Sequence, residues 1–134
     1  MTTRRATAVR RVVAAVLILV AVAAGLFVHG ALPDTAATDI AGDALYVVVV
    51  WGFVVLLAPR LPAAAVAGIV LVWCIAVELF QPTGLPEAWG AAFPPVMLVL
   101  GTVFDPRDLL IYAAATAVLL VADLAVSRTV RRSR

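Results

Sequence analysis

The stretch that decides the fold is AAFPPVMLVLGTVF, residues 91–104, because it sets how many times the chain can cross a lipid bilayer. The fourteen residues would extend about 21 Å as an α-helix, which is less than the roughly 30 Å of a hydrocarbon core. The pair Pro94-Pro95 also interrupts any helix here. We therefore expect a short re-entrant or interfacial helical segment at 91–104 and not a span.

The composition indicates that lipid, not water, surrounds most of the chain. Of the 134 residues, 65% are apolar and 13% are charged, and the mean hydropathy is +1.13. Soluble domains are about 45–50% apolar and about 25% charged. A chain this short cannot bury so many apolar side chains in its own core. Residues 1–134 are thus predicted to form a single transmembrane domain in contact with the lipid bilayer.

Longer apolar runs on both sides of residues 91–104 predict four spans. They cover about 12–28, 44–58, 63–80 and 108–127. The turn PRLP at 59–62 is so short that the second and third spans must form an antiparallel hairpin. The basic start before the first run leaves a cleaved signal peptide as its alternative. The predicted fold class is an all-α, integral membrane four-helix bundle with a short segment between the third and fourth spans.

The arginines predict the orientation of the bundle. With four spans, nine of the ten arginines lie on one side of the membrane, and only Arg107 lies opposite. The nine are Arg4, Arg5, Arg10, Arg11, Arg60, Arg128, Arg131, Arg132 and Arg134. Because arginine is concentrated in cytoplasmic loops, we expect a multi-pass protein of the plasma membrane with both termini cytoplasmic. The acids then gather at the outer face, apart from Asp123.

Several classes of function are excluded by what the sequence lacks. It has no lysine, no asparagine, one histidine and one cysteine, so it holds no P-loop, Schiff-base lysine, disulfide or thiolate zinc cluster. We expect no cofactor and no metal ligand set. The arginines lie in short clusters beside apolar helices without a recognition module, so nucleic acid is not an expected partner. Small-residue pairs such as Ala21 with Gly25 allow close helix packing and leave a homo-oligomer open.

Polar side chains near three helix ends form the candidate ligand site, since polar groups in a bilayer are costly and often functional. The six residues are Asp43, Glu78, Gln81, Asp105, Arg107 and Asp108.

Simple helix capping is the structural alternative for two of the six. Asp43 is interpreted as the cap of the second span. Asp105 precedes Pro106 and is interpreted as the cap of the last span. On that last span, Asp108, Tyr112, Thr116 and Asp123 share one helical face, which should contact protein or water and not lipid.

Three pieces of sequence, in this order, carry a family resemblance. They are GDALY at 42–46, ELFQ at 78–81 and LGTVFDPRDLLIY at 100–112. The chain resembles the domain of unknown function 2809 family, small bacterial membrane proteins, over roughly residues 42–123. The layout of acids before the second and last spans is also similar to VanZ-like proteins of the cell envelope. The resemblance implies the fold and the location of a site, not an activity.

Three functions remain open from the sequence. The preferred one is binding of a small polar or lipid-headgroup ligand at the six residues. A metal-assisted hydrolase or transferase acting on a lipid-linked phosphate is the enzymatic alternative, although no catalytic residue is identified. A non-catalytic membrane scaffold is the third.

Overall fold

Six α-helices make up the computed structural model, which describes residues 3–101 and 103–132. The helices are α1 (Thr3–Ala31), α2 (Ala36–Leu57), α3 (Ala63–Phe80), α4 (Leu85–Ala92), α5 (Val96–Leu100) and α6 (Pro106–Arg132). A 3-10 turn, Gln81–Thr83, joins α3 to α4, and the described residues contain no β-strand.

The four long helices have the properties of membrane spans. In α1, α2, α3 and α6, length and hydropathy both suffice for a crossing. Large apolar side chains such as Leu19, Val72 and Leu110 are 70%, 69% and 73% exposed on the outside of the bundle. Such surfaces suit lipid and not water. The predicted all-α fold with four spans is confirmed.

Residues 91–104 form parts of two helices and not one short helix. α4 begins earlier, at Leu85, and ends at Ala92 because Phe93 adopts an extended backbone (φ −144°, ψ 89°) before Pro94. The chain then turns and continues as α5. Met97 packs directly against Gly90, where even a Cβ atom would collide. Both helices are too short to cross a bilayer.

The start of α2 corrects one interpretation. Thr35 caps the helix in a capping box with Thr38, in which each side chain bonds the other residue's backbone N–H at 3.3 and 2.9 Å. The helix therefore begins at Ala36. Asp43 lies about two turns inside it, so the interpretation of Asp43 as the cap is wrong.

Small residues let α1 pack closely on α2. A Cβ atom at Gly52 would lie 2.6 Å from Cγ1 of Ile18, and Ala14 and Ala21 are buried in the same seam. The core between α2, α3 and α6 is mainly β-branched and aromatic. Its buried members include Val47, Trp51, Val55, Val66, Val70, Cys74 and Tyr112.

The contacts of Arg10 show which segments of the chain meet at one end of the bundle. Arg10 of α1 donates to the carbonyl oxygens of Pro59 and Leu61 at 3.0 and 2.8 Å and to Oδ2 of Asp123 at 2.8 Å. The first turns of α1, the α2–α3 turn and the last turns of α6 thus meet at one end, which we call the basic end. The opposite end, with α4, α5 and the start of α6, is the acidic end.

Candidate functional site

The structure brings five of the six predicted site residues together at the acidic end. Asp43, Glu78, Asp105, Arg107 and Asp108 are linked by the short contacts given below. Gln81 lies beside them but bonds to the backbone of α5.

Glu78 lies at the base of this group and is fully buried. Its Oε1 accepts the backbone N–H of Asp105 at 2.7 Å, and its Oε2 accepts the Tyr112 hydroxyl at 3.3 Å. A buried carboxylate is tolerable only with such partners. Glu78 therefore ties α3 to the start of α6.

Gln81 holds the chain that leads into α6. Its Nε2 donates to the carbonyl of Leu100 at 2.9 Å, and its Oε1 is buried without a partner in the described chain. The next residue, Gly101, has φ 61° and ψ −167°, a conformation that is essentially restricted to glycine. A Cβ there would also lie 2.5 Å from Nε2 of Gln81. Glycine is therefore required at this close approach.

Asp105 caps α6, as predicted. Its Oδ1 accepts the N–H of Arg107 at 2.9 Å, and its carbonyl accepts the N–H of Asp108 at 2.9 Å. The Arg107 guanidinium lies 3.5 Å from Asp105 and 3.8 Å from Asp39. These exposed pairs are weak, but they place the one arginine of the acidic end over two of its carboxylates.

Asp43 and Asp108 form the part of the site without a cation. Their carboxyl groups lie close enough to interact directly, and neither forms a salt bridge within the described residues. Both side chains are half-buried. Two carboxylates this close repel each other, and a cation placed against both would offset that repulsion.

The polar face of α6 points inward. Tyr112 and Thr116 are 5% and 2% exposed, and Asp123 is paired with Arg10. This confirms the prediction that the face contacts protein. In the described chain the Thr116 hydroxyl has no partner.

Sequence reasoning did not select Asp39, Tyr46 or Trp73 as candidates. Asp39 approaches Arg107, and its spacing of four from Asp43 places both on one face of α2, a signal that could have found it. Tyr46 donates to the carbonyl of Val99 at 2.8 Å and accepts from Nε1 of Trp73 at 2.9 Å. No local pattern predicts this bridge between α2, α3 and α5.

Within the part of the chain that the structure describes, no three carboxylate, histidine or thiol groups are arranged to hold a metal ion. The site instead consists of three separate sets of groups. Glu78 accepts hydrogen bonds from a backbone N–H and a hydroxyl, Arg107 lies near two carboxylates, and Asp43 lies close to Asp108.

Helices of this length and hydropathy, with acids gathered at one end and arginines at the other, make this a multi-pass helical membrane protein. More specifically, the family model of a protein of unknown function, DUF2809, matches residues 32–116, and the chain belongs to that family. The matched range contains all six predicted site residues and begins after α1. No curated protein and no solved structure matches the chain. The likeness to VanZ-like proteins stays a prediction.

Proposed function

We propose that this membrane protein binds a small polar ligand or lipid headgroup that carries an amine, at the acidic end of the bundle. The observation that supports this is the close pair of Asp43 and Asp108, which lacks a cation in the described chain. Asp43 is not needed as a helix cap, so capping does not explain its carboxylate. Carboxylates that remain unpaired in a membrane protein usually serve a ligand or an ion.

Charge determines which headgroup fits. Arg107 is shared between Asp39 and Asp105, while Asp43 and Asp108 form no salt bridge within the described residues, which favours a cationic group at that pair. An ammonium group would bind between Asp43 and Asp108. Arg107, which holds its two acids only at 3.5 and 3.8 Å, is positioned to turn toward a neighbouring phosphate.

The test compares lipid binding by two variants of equal charge. Native mass spectrometry of the purified protein in detergent counts bound phosphatidylethanolamine, with phosphatidylglycerol as the lipid without an amine. We expect Asp43→Asn with Asp108→Asn to lower the affinity for phosphatidylethanolamine about tenfold, because charge-assisted hydrogen bonds are lost. The matched control is Glu87→Gln with Asp34→Asn, which removes two exposed acids that lie outside the cluster.

Two results would contradict the proposal. One is unchanged binding of phosphatidylethanolamine by the Asp43/Asp108 variant, which would favour the scaffold alternative. The other is an equal loss in the control, which would indicate diffuse electrostatics. Turnover of a lipid-linked phosphate that stops with a chelator would favour the metal-assisted alternative.

A further inference from the structure

A recess at the basic end lies between α1 and the turn that joins α2 to α3. Its volume is about 330 Å³, and its lining includes Arg11, Arg60, Leu57, Pro59 and Leu61. We propose that this recess binds the phosphate of an anionic phospholipid. The proposal goes beyond the amine site, because it concerns the opposite end of the bundle and does not depend on the acidic cluster.

Both arginines of the recess have N–H groups that bond no other described residue. Arg11 uses Nε to bond the carbonyl of Leu56 at 3.2 Å, and its two terminal nitrogens make no hydrogen bond to the described residues. Arg60 is exposed in the turn and has no hydrogen-bond or ion-pair partner within the same residues. Guanidinium groups match the geometry of phosphate oxygens better than any other side chain.

Arginine donors offset part of the negative charge of the backbone around the recess. The last carbonyls of a helix carry partial negative charge, which would disfavour phosphate at the end of α2. Here Arg11 donates a hydrogen bond to the carbonyl oxygen of Leu56, and Arg10 donates to those of Pro59 and Leu61. These three carbonyls already accept hydrogen bonds from arginine, which lowers their repulsion of a phosphate.

Among the residues that the structure describes, no carboxylate competes for the two arginines. Asp123 is the one acid at the basic end of the described chain, and its two oxygens accept from Arg10 at 2.8 Å and from Ser127 at 3.4 Å. Arg11 and Arg60 are therefore left as uncompensated positive charges beside the recess.

The apolar wall favours a lipid as the source of the phosphate. Leu57 lines the recess and is 76% exposed, and Phe53, one turn earlier on α2, is 49% exposed. This wall leads from the arginines along the outside of α2, where acyl chains would lie. Basic pockets beside membrane helices are established sites for anionic headgroups.

The test measures phospholipid affinity by native mass spectrometry of the full chain in detergent. The probes are phosphatidylglycerol, phosphatidylcholine with the same acyl chains, and inorganic phosphate as a competitor. Arg60→Gln is the main variant, because Arg60 makes no contact that the fold needs. The second variant adds Arg11→Gln, and the matched control is Arg4→Gln with Arg5→Gln on the first turn of the same helix.

We expect the wild type to prefer phosphatidylglycerol, and each lost arginine of the recess to lower that affinity about fivefold. The control should keep the wild-type affinity, and inorganic phosphate should not displace the lipid. Equal losses in the control would overturn the recess as a defined site, as would unchanged affinity in Arg60→Gln. Full displacement by inorganic phosphate would overturn a lipid as the ligand. Thermal unfolding of each variant checks the fold, and we expect Arg60→Gln to unfold at the wild-type temperature.

Discussion

Glu78 shows how a single residue can carry a structural role that its chemistry does not reveal. In sequence it is an acid near the end of an apolar helix, which suggests ligand binding. In the structure both of its oxygens accept hydrogen bonds from α6 or the residue before it. The carboxylate acts as a tertiary cap, because it bonds the backbone of the residue that itself caps α6. Ligand contact by Glu78 stays a prediction.

Replacement of Glu78 should therefore affect stability. Glu78→Ala leaves the partly buried N–H of Asp105 without its acceptor, and we expect the free energy of unfolding to fall by about 1–3 kcal/mol. Glu78→Gln retains an oxygen acceptor and should lose less. Thermal unfolding in one detergent measures both, with Glu87→Ala as the exposed control. An unfolding temperature for Glu78→Ala equal to that of the wild type would refute the capping role.

α1 is attached to the bundle mainly through one neighbouring helix. It lies outside the family match, which begins at residue 32, and it packs mainly on α2. Gly52 permits the close approach along the seam, and Arg10 joins the basic end of α1 to the α2–α3 turn and to α6. The Arg10 and Asp123 side chains are only 29% and 20% exposed, so their pair is partly shielded from solvent.

Loss of Arg10 should loosen α1 from the rest of the bundle. We expect Arg10→Gln to lower the free energy of unfolding by about 1–2 kcal/mol, because three hydrogen bonds are lost or weakened. Limited proteolysis in the first turns of α1, at the basic end, should become faster. Arg5→Gln, an exposed arginine on the same helix, is the control. If the two variants were equally stable, the contacts of Arg10 would make no contribution to the stability of the bundle.

At the scale of the whole molecule, charge is segregated along the bundle axis. Four of the exposed or half-buried acids cluster at the acidic end, while Arg10, Arg11 and Arg60 lie together at the basic end. The contacts of Arg10 place the start of α1 and the end of α6 at one end of the bundle. From the positive-inside rule we expect that end to lie in the cytoplasm, and this stays a prediction.

Cysteine labelling of intact cells tests this orientation. The native Cys74 is buried and should not react with a membrane-impermeant maleimide, so single cysteines can be added to the native chain. Glu87→Cys should be labelled from outside, whereas Thr2→Cys and Ser133→Cys should be labelled only after lysis. Labelling of one terminus but not the other in intact cells would show an odd number of crossings.

The sequence predicted which residues belong to the candidate site but not which of them contact each other. The acids near the ends of predicted spans were enough to select Asp43, Glu78 and Asp108, because each is costly in a bilayer. Whether such groups contact each other depends on the rotation of each helix about its axis. The Thr35–Thr38 cap changed the position of Asp43 within α2, and the Tyr46 hydroxyl reached α5 through a contact across 53 residues.

The number of long helices and the polarity of the two ends were determined by the sequence alone, because hydropathy and charge add up locally along a chain. Only the tertiary structure decided that Glu78 bonds the residue that caps α6, that Asp43 lies against Asp108 and that Arg10 joins α1 to the α2–α3 turn and α6. Each of these joins residues far apart in the chain, and their geometry follows from how helices pack, which no local pattern encodes.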